Sequence, residues 1–224
     1  MKIDVYADIA CPWCYIGHAR LTTALAERDD IAPDVRWNPF QLQPDMPAGG
    51  RDWRAFAEEK FGGWERAQDM FERVEEAAER EGLAIRFDRM TTAPNTADAH
   101  RLVLWAEDAG DGSAPVGESP AERLAEHLYR SYFERGENVS TAEALLRAVE
   151  ETGLDPDGAR AVLEGDAFAE AVDESQQRAE RLNIRGVPCT VFDERYAIAG
   201  AQPADKIHRA IEAAQGATET AENA

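Results

Sequence analysis

KIDVYADIACPWCYIG, residues 2–17, is the stretch that decides the fold of this chain. Residues 2–8 alternate in polarity and are rich in β-forming side chains, which predicts a short strand. From Cys11 to about Arg28 the apolar residues recur at helical spacing, and Pro12 stands at the first helical position, where a missing N–H costs nothing. A strand therefore runs into a helix at a pair of cysteines, Cys11 and Cys14.

The rest of the chain divides into a helical middle and a return to strands. Trp37, Phe40 and Leu42 predict a second strand and complete a β-α-β unit. Near the other end, residues 187–192 and 196–199 have strand character and 203–215 predict a helix. Removing the middle leaves a complete small α/β domain. We predict an α/β fold with domain parts at 1–44 and 184–215, an all-α insertion at 45–183 and a disordered tail at 216–224.

Helix starts within the predicted insertion are marked by capping residues. SPAE at 119–122 and STAE at 140–143 are capping boxes, and Asp166 is expected to cap a later helix. The strongest strand signal in this region is Leu83 to Phe87. An apolar set at helical spacing is expected to form the core of the insertion or a wall of a cleft: Trp53, Phe56, Trp64, Met70 and Phe71.

Charge and hydropathy exclude several classes of partner. Asp and Glu number 44 against 24 Lys and Arg, for a net charge of −20, which repels nucleic-acid phosphates and anionic lipid headgroups. No stretch approaches the ~18 consecutive apolar residues of a membrane span. We expect no nucleic-acid and no membrane partner. The acidity favours a high-salt, halophilic cytoplasm, with an ordinary acidic cytosolic protein as the alternative.

The beginning of the chain has no basic and apolar signal-peptide regions, so we expect a cytoplasmic protein. A reducing compartment disfavours structural disulfides and leaves metal binding, redox catalysis or burial as roles for the three cysteines. Cys189 is interpreted as a buried thiol, with a second resolving thiol as the alternative.

The motif Cys11-Pro12-Trp13-Cys14 carries the chemistry. Cysteines at i and i+3 lie on one helical face, close enough to form a disulfide. The free N–H groups of the first helical turn can stabilise a thiolate. We predict a redox-active Cys11–Cys14 disulfide, with Cys11 as nucleophile and no further cofactor or metal. A zinc half-site that includes His18 and a pair of buried structural thiols are the alternatives.

Five segments in this order resemble the FrnE-like branch of the DsbA family. They are DIACPWCYIG (8–17), NPFQLQP (38–44), PNTADAHR (94–101), GVP (186–188) and GAQ (200–202). The resemblance implies a thioredoxin fold with a helical insertion and a thiol–disulfide oxidoreductase activity. It covers residues 4 to about 203, and the joint order of the segments is more specific than any one of them.

The resemblance also implies roles for single residues. Pro188 would be a cis-proline packed beside the disulfide, and Val187 would offer its backbone to a bound peptide. Asn95 and His100 would face the active-site cleft, whereas the alternative makes them a helix cap and a packed residue. We assign Cys11, Cys14 and Pro188 to catalysis, and Pro12, Trp13, Val187, Asn95 and His100 to substrate binding.

The predicted protein is a thiol–disulfide oxidoreductase that acts on protein or small-molecule thiols and disulfides. One alternative is a small-thiol-dependent isomerase or transferase resembling 2-hydroxychromene-2-carboxylate isomerase or the kappa-class glutathione transferases. Those relatives usually have Ser at the position of Cys11 and lack the second cysteine. Another alternative is a non-catalytic zinc-binding or chaperone-like module. The direction of electron flow, the substrate and the oligomeric state are left open.

Overall fold

The computed structural model describes residues 1–110 and 114–222. The strands are β1 (Lys2–Ala7), β2 (Asp34–Pro39), β3 (Arg51–Asp52), β4 (Thr92–Ala93), β5 (Cys189–Phe192) and β6 (Tyr196–Ala199). The helices are α1 (Pro12–Ala26), α2 (Trp53–Phe61), α3 (Trp64–Glu79), α4 (Ala97–Asp108), α5 (Pro120–Tyr129), α6 (Ala142–Glu151), α7 (Pro156–Glu164), α8 (Ala169–Arg181) and α9 (Ala204–Glu222). A 3₁₀ turn at Phe87–Arg89 and a π-helical turn at Arg130–Glu134 complete the regular structure.

The main sheet joins the two ends of the chain in the order β2-β1-β5-β6. β1 runs parallel to β2 and antiparallel to β5, with Val5 opposite Trp37 and Tyr6 opposite Cys189. The α/β fold class with helices inserted between the two halves of the sheet is thus confirmed. The domain boundaries at 44/45 and 183/184 stay predictions.

The central strand β1 is buried on both faces. The residues that follow it lie at one edge of the sheet, near the middle of that edge. Ile3 and Val5 share one face, while Asp4 and Tyr6 occupy the other and are buried as well. Asp8 to Cys11 follow β1 directly, before α1 begins at Pro12. The cysteine motif therefore lies at the carboxyl end of the central strand.

Several boundaries differ from the sequence predictions. β2 ends at Pro39, before Phe40, and Leu83 to Phe87 form no strand, because Phe87 opens the 3₁₀ turn. Ser119 caps α5 through a complete capping box, as predicted. In the second box Thr141 is the N-cap, because the Ser140 hydroxyl accepts a hydrogen bond from the Asn95 N–H instead.

Two further differences concern the later helices. α8 begins after Phe168, whose left-handed φ of 63° breaks the helix that Asp166 was expected to cap. α9 continues to Glu222 through most of the segment expected as a disordered tail, which agrees with the helix-favouring alanines and glutamates of that segment. Residues 223–224 lie outside the described residues.

The aromatic residues of the insertion form a stacked cluster around α2 and α3. The rings of Trp53 and Phe71 stand 5.5 Å apart and those of Phe71 and Phe87 4.3 Å apart. Burial of Trp53, Phe56 and Phe71 confirms the predicted core, whereas Met70 is 43% exposed. Within residues 1–110 and 114–222, no helix combines the length and the hydropathy that crossing a bilayer requires.

Candidate active site

Cys11 and Cys14 stand at the start of α1 as the local sequence predicts. Cys11 is the N-cap with an extended backbone (φ −100°, ψ 112°), and Pro12 occupies the first helical turn. The N–H groups of Cys14 and Tyr15 donate to the Cys11 carbonyl at 2.9 and 3.3 Å. Both cysteines are free thiols and buried, with 4% and 2% of their surface exposed. The two thiols thus occupy the first turn of one helix.

The Cys11 thiol contacts the segment that precedes β5. Its Sγ donates to the Val187 carbonyl over 3.6 Å, and the Val187–Pro188 peptide bond is cis, the geometry that the family resemblance implies. Pro188 packs so closely on α1 that a Cβ added to Gly17 would lie 2.9 Å from its Cγ. Gly17 is therefore what allows the proline ring to approach the helix beside the two thiols.

Cys14 is the more deeply buried of the two thiols. Burial raises the pKa of Cys14 well above its ordinary value, and the hydrogen bond with Cys11 adds to this rise. The negative charge of Asp8 acts in the same direction. Cys14 is therefore a protonated thiol whenever the two cysteines are not joined by a disulfide.

Asp8 anchors a buried polar chain behind the cysteines. Its Oδ2 accepts from the Leu42 N–H at 2.7 Å, its Oδ1 accepts from the Ala10 N–H at 3.2 Å, and Oδ1 also faces His100 Nε2 at 3.4 Å. The Trp37 indole, a donor only, donates to His100 Nδ1 at 3.3 Å, which leaves the imidazole proton on Nε2, toward Asp8. Burial alone would raise the pKa of Asp8, but His100 and the two backbone N–H groups outweigh it and lower that pKa.

Tyr129 of α5 joins the site from the insertion. Its hydroxyl donates to the Asp8 carbonyl at 3.4 Å, and its ring stacks on Tyr15 at 5.2 Å. Burial raises the pKa of Tyr129 well above its ordinary value, and the neighbouring thiol of Cys14 adds to the rise. The fully buried Tyr129 is therefore a neutral phenol beside the thiol pair.

Asn95 and His100, expected to contact substrate, have other tasks in the structure. His100 is completely buried, with its Nε2 3.4 Å from Asp8 Oδ1, which is the environment of the packed residue considered as the alternative. The Asn95 amide donates to the Met46 carbonyl at 2.6 Å and accepts from the Ala97 N–H at 2.9 Å. Asn95 thus holds the start of α4 and the loop before β3, while Thr96 is the formal N-cap.

The remaining predicted substrate-binding residues surround Cys11. Trp13 is 38% exposed next to the buried thiols, whereas Pro12 and Val187 are half-buried. The structure thus gathers Cys11, Cys14, Pro12, Trp13, Val187 and Pro188. Asp8 and Tyr129 were not predicted as site residues. Asp8 carried a signal, a polar residue directly after a buried strand, but nothing local marks Tyr129.

Cys189 lies apart from the cysteine pair on the sheet face that carries Tyr6. It is buried in a cluster with Tyr6, Phe40 and Ala179. Burial raises the pKa of the Cys189 thiol. Its surroundings match the interpretation of a buried thiol in the core.

In the described ranges, no group of three or more His, Cys, Asp or Glu side chains has the arrangement of a metal site. His18, the zinc ligand considered from the sequence, lies with its ring 6.4 Å from that of Tyr129.

Comparison with known proteins identifies the family and the fold of the chain. Residues 2–212 match the family described as a DSBA-like thioredoxin domain. A probable DsbA oxidoreductase from Streptomyces coelicolor is 33% identical, with a TM-score of 0.83 over 96% of this chain and 90% of that one. The cytosolic disulfide reductase DsbM from Pseudomonas aeruginosa, solved with GSH, is 19% identical, with a TM-score of 0.61 over all of both chains. A 2-hydroxychromene-2-carboxylate isomerase is 18% identical, with a TM-score of 0.65 over all of both chains.

Proposed function

Because the chain belongs to the family of DSBA-like thioredoxin domains, we propose that it is a thiol–disulfide oxidoreductase that works through Cys11 and Cys14. The observation that carries the proposal is the contact of the Cys11 thiol with the Val187 carbonyl, 3.6 Å away and next to Pro188. A reactive sulfur, a resolving sulfur one turn later and the half-buried backbone of Val187, the expected partner of a substrate strand, then lie together. The names of the DsbA and DsbM relatives support the same reaction class.

The reaction is a pair of thiol–disulfide exchanges. The Cys11 thiolate attacks one sulfur of a substrate disulfide, the substrate S–S bond breaks, and the first substrate thiolate leaves and takes a proton from water. Cys14 then loses its proton and attacks Cys11 Sγ, which releases the second substrate thiolate and forms the Cys11–Cys14 disulfide. The substrate gains two electrons and the protein loses two. The same steps in reverse oxidise a substrate dithiol.

Cys11 attacks first and Cys14 resolves the mixed disulfide because the surroundings of the two sulfurs differ. Cys11 is the N-cap of α1, at the positive end of the helix dipole, and its Sγ contacts the Val187 carbonyl. Cys14 stays protonated because burial raises its pKa, so it does not compete as the first nucleophile. Pro188 has no backbone N–H and no reactive side-chain group, so it can lie next to the two sulfurs without reacting with a substrate.

Activity assays on three proteins test the proposal. Insulin reduction by dithiothreitol and refolding of scrambled ribonuclease are measured for wild type, Cys11→Ser and Cys14→Ser. We expect wild type to exceed both variants in at least one assay. If wild type is no better than Cys11→Ser in both assays, the redox function is wrong. Small-thiol-dependent isomerase activity retained by the variants would favour the isomerase alternative, and stoichiometric zinc would favour the binding module.

We place the protein in a cytoplasm of high salt and expect protein or small-molecule thiols and disulfides as its partners. The net charge of −20 supports the high-salt setting, because counterions screen a self-repelling acidic surface. Thermal unfolding in KCl from ~0.1 M to molar concentrations checks this: we expect the midpoint to rise steeply with salt. A flat response would remove the halophilic setting and leave the redox function in place.

A further inference from the structure

We propose that a small cleft beside Cys11 binds a carboxylate group of the reacting thiol or disulfide, and we call it the carboxylate subsite. It is defined by Ala10, Trp53 and Lys60. The inference rests on the proposed function and specifies its substrate class: thiols and disulfides that carry a carboxylate. Four features of the cleft support it.

The first feature is position and size. The cleft has a volume of about 30 Å³, and its lining includes Ala10, Trp53, Lys60 and Tyr132. Ala10, one of the lining residues, directly precedes Cys11 in the sequence, while Cys11 itself is not part of the lining. A single water needs roughly 10–15 Å³ by the same measure, so the space suits about two oxygen-sized atoms and not a whole ligand. A terminal group enters the cleft while the sulfur of the same molecule stays at Cys11.

The second feature is an unpartnered donor. The Trp53 side chain is buried, with 8% exposed, and its Nε1–H has no hydrogen-bond acceptor among the described residues. An indole nitrogen only donates, and buried donors in folded proteins are almost always paired. The ring packs beside the stacked pair of Phe71 and Phe87, with ring centres 5.5 and 6.0 Å away, so it is part of the buried aromatic cluster. A ligand oxygen in the cleft would satisfy this donor.

The third feature is a cation at the rim. Lys60 Nζ lies 5.1 Å from the centre of the Phe56 ring and 6.0 Å from that of Phe61. Acidic residues outnumber basic ones 44 to 24, yet no described carboxylate lies within salt-bridge distance of Lys60. A cation held on aromatic rings, in the same lining as an unpartnered N–H, favours an acceptor that is also an anion.

The fourth feature is the state of the one carboxylate in the lining, Asp8. Its oxygens already accept from Ala10 and Leu42 and face His100. Asp8 is satisfied by these partners, and its negative charge opposes an anion in the cleft; the lining groups that remain without a hydrogen-bond or salt-bridge partner among the described residues are a donor, Trp53, and a cation, Lys60. These two groups match a carboxylate.

A charge series of disulfides tests the subsite. Reduced protein is mixed with dithiodipropionate or dithiodibutyrate (anionic), bis(hydroxyethyl) disulfide (neutral) or cystamine (cationic), and loss of protein thiols is followed by quenched alkylation and mass spectrometry. We expect wild type to prefer an anionic probe over the neutral one. Lys60→Met should lower this preference about three- to fivefold, as for a partly exposed ion pair. Trp53→Phe, which keeps an aromatic ring, should lower it about tenfold.

Lys206→Met is the matched control, because it removes the same charge from an exposed position on α9 outside the cleft lining. The neutral disulfide should react equally with wild type and Lys206→Met, and for every protein the rate with the anionic probe is divided by its own rate with the neutral probe. If Lys60→Met and Lys206→Met show the same preference for anions as wild type, the subsite is wrong while the proposed function stands.

A binding measurement distinguishes failure of the carboxylate subsite from failure of the proposed redox function. Mercaptopropionate is titrated into Cys11→Ser protein, and the indole N–H signal that disappears in Trp53→Phe is followed by NMR. We expect this signal to shift with mercaptopropionate and to stay fixed with mercaptoethanol. A shift together with inactive wild type would refute the redox function alone, whereas no shift with either thiol would refute the subsite.

Discussion

Cys14 and Cys189 are both buried thiols near the carboxyl end of β1, but their neighbours differ in kind. Burial raises the pKa of both. Cys14 lies one helical turn from the Cys11 thiol and beside Asp8 and Tyr129, whereas Cys189 packs in an apolar cluster on the opposite side. Burial alone therefore does not mark a redox thiol. The difference between the two thiols is the second sulfur, Cys11, next to Cys14.

The largest difference between the two thiols should appear when each is removed. Cys14→Ala leaves Cys11 without a resolving thiol, so a covalent adduct with a substrate disulfide should accumulate on Cys11 and turnover should fall to the rate without protein. Cys189→Ala should form no such adduct and retain wild-type turnover. Mass spectrometry of the quenched reaction distinguishes the two. An adduct trapped in Cys189→Ala would make Cys189 a resolving thiol.

The second prediction concerns the charge behind Cys14. The pKa of Asp8 is lowered in the fold, so its ionised form contributes stability that is present above the unfolded value of about 4 and is lost as pH falls through the folded pKa. Asp8→Asn should cost about 2 kcal/mol at neutral pH, because hydrogen bonds to a charge are lost. Urea unfolding should show this difference shrinking below pH ~4.

Asp4→Asn is the control, because Asp4 is also buried on β1 and bonds Asn38 and Lys2 instead. Asp8→Asn should also lower the pKa of Cys14, since the negative charge that opposes its thiolate is gone. The pH profile of disulfide exchange should move to lower pH in Asp8→Asn and stay in place in Asp4→Asn. Equal pH profiles for Asp8→Asn and Asp4→Asn would show that the charge of Asp8 does not affect the reactivity of Cys14.

The third prediction concerns the packing of Pro188 on α1, beside Cys11 and Cys14. A Cβ at Gly17 would lie 2.9 Å from Pro188 Cγ, so Gly17→Ala should push the proline from the thiols and cost about 1–3 kcal/mol. Exchange should slow as well. Gly186→Ala places its Cβ more than 4 Å from any described atom outside its neighbours and should leave stability and exchange near wild type. Guanidinium unfolding and exchange rates check both, and equal losses would argue against close packing at Gly17.

The smallest effect should come from two buried tyrosine hydroxyls. Tyr129 donates to the Asp8 carbonyl at 3.4 Å, whereas the Tyr6 hydroxyl, in the cluster of Cys189, has no partner among the described residues. Tyr129→Phe should cost about 0.5–1 kcal/mol of unfolding free energy, and Tyr6→Phe should be neutral or stabilising. Urea titrations measure both. If Tyr6→Phe costs more unfolding free energy than Tyr129→Phe, the hydrogen bond from Tyr129 to the Asp8 carbonyl does not stabilise the fold.

Features set by neighbouring residues could be predicted well. Pro12 after a strand places Cys11 as the N-cap of α1, and β6 runs over Tyr196–Ala199, the predicted strand. Helix caps were less certain where side chains had a choice of partner. Ser140 bonds to Asn95, 45 residues away, and leaves the capping of α6 to Thr141. A competing long-range hydrogen bond decided that boundary.

The amino-acid sequence by itself determined the cysteine pair, its place at a strand-to-helix junction, the α/β class and the acidic surface. These depend on contacts within a few residues or on composition alone. Only the tertiary structure decided which distant side chains surround the thiols: His100 behind Asp8, Tyr129 beside Cys14, and Trp53 with Lys60 in the carboxylate subsite. Such neighbours are set by how the insertion packs on the sheet, and packing depends on the shapes of all the buried side chains at once.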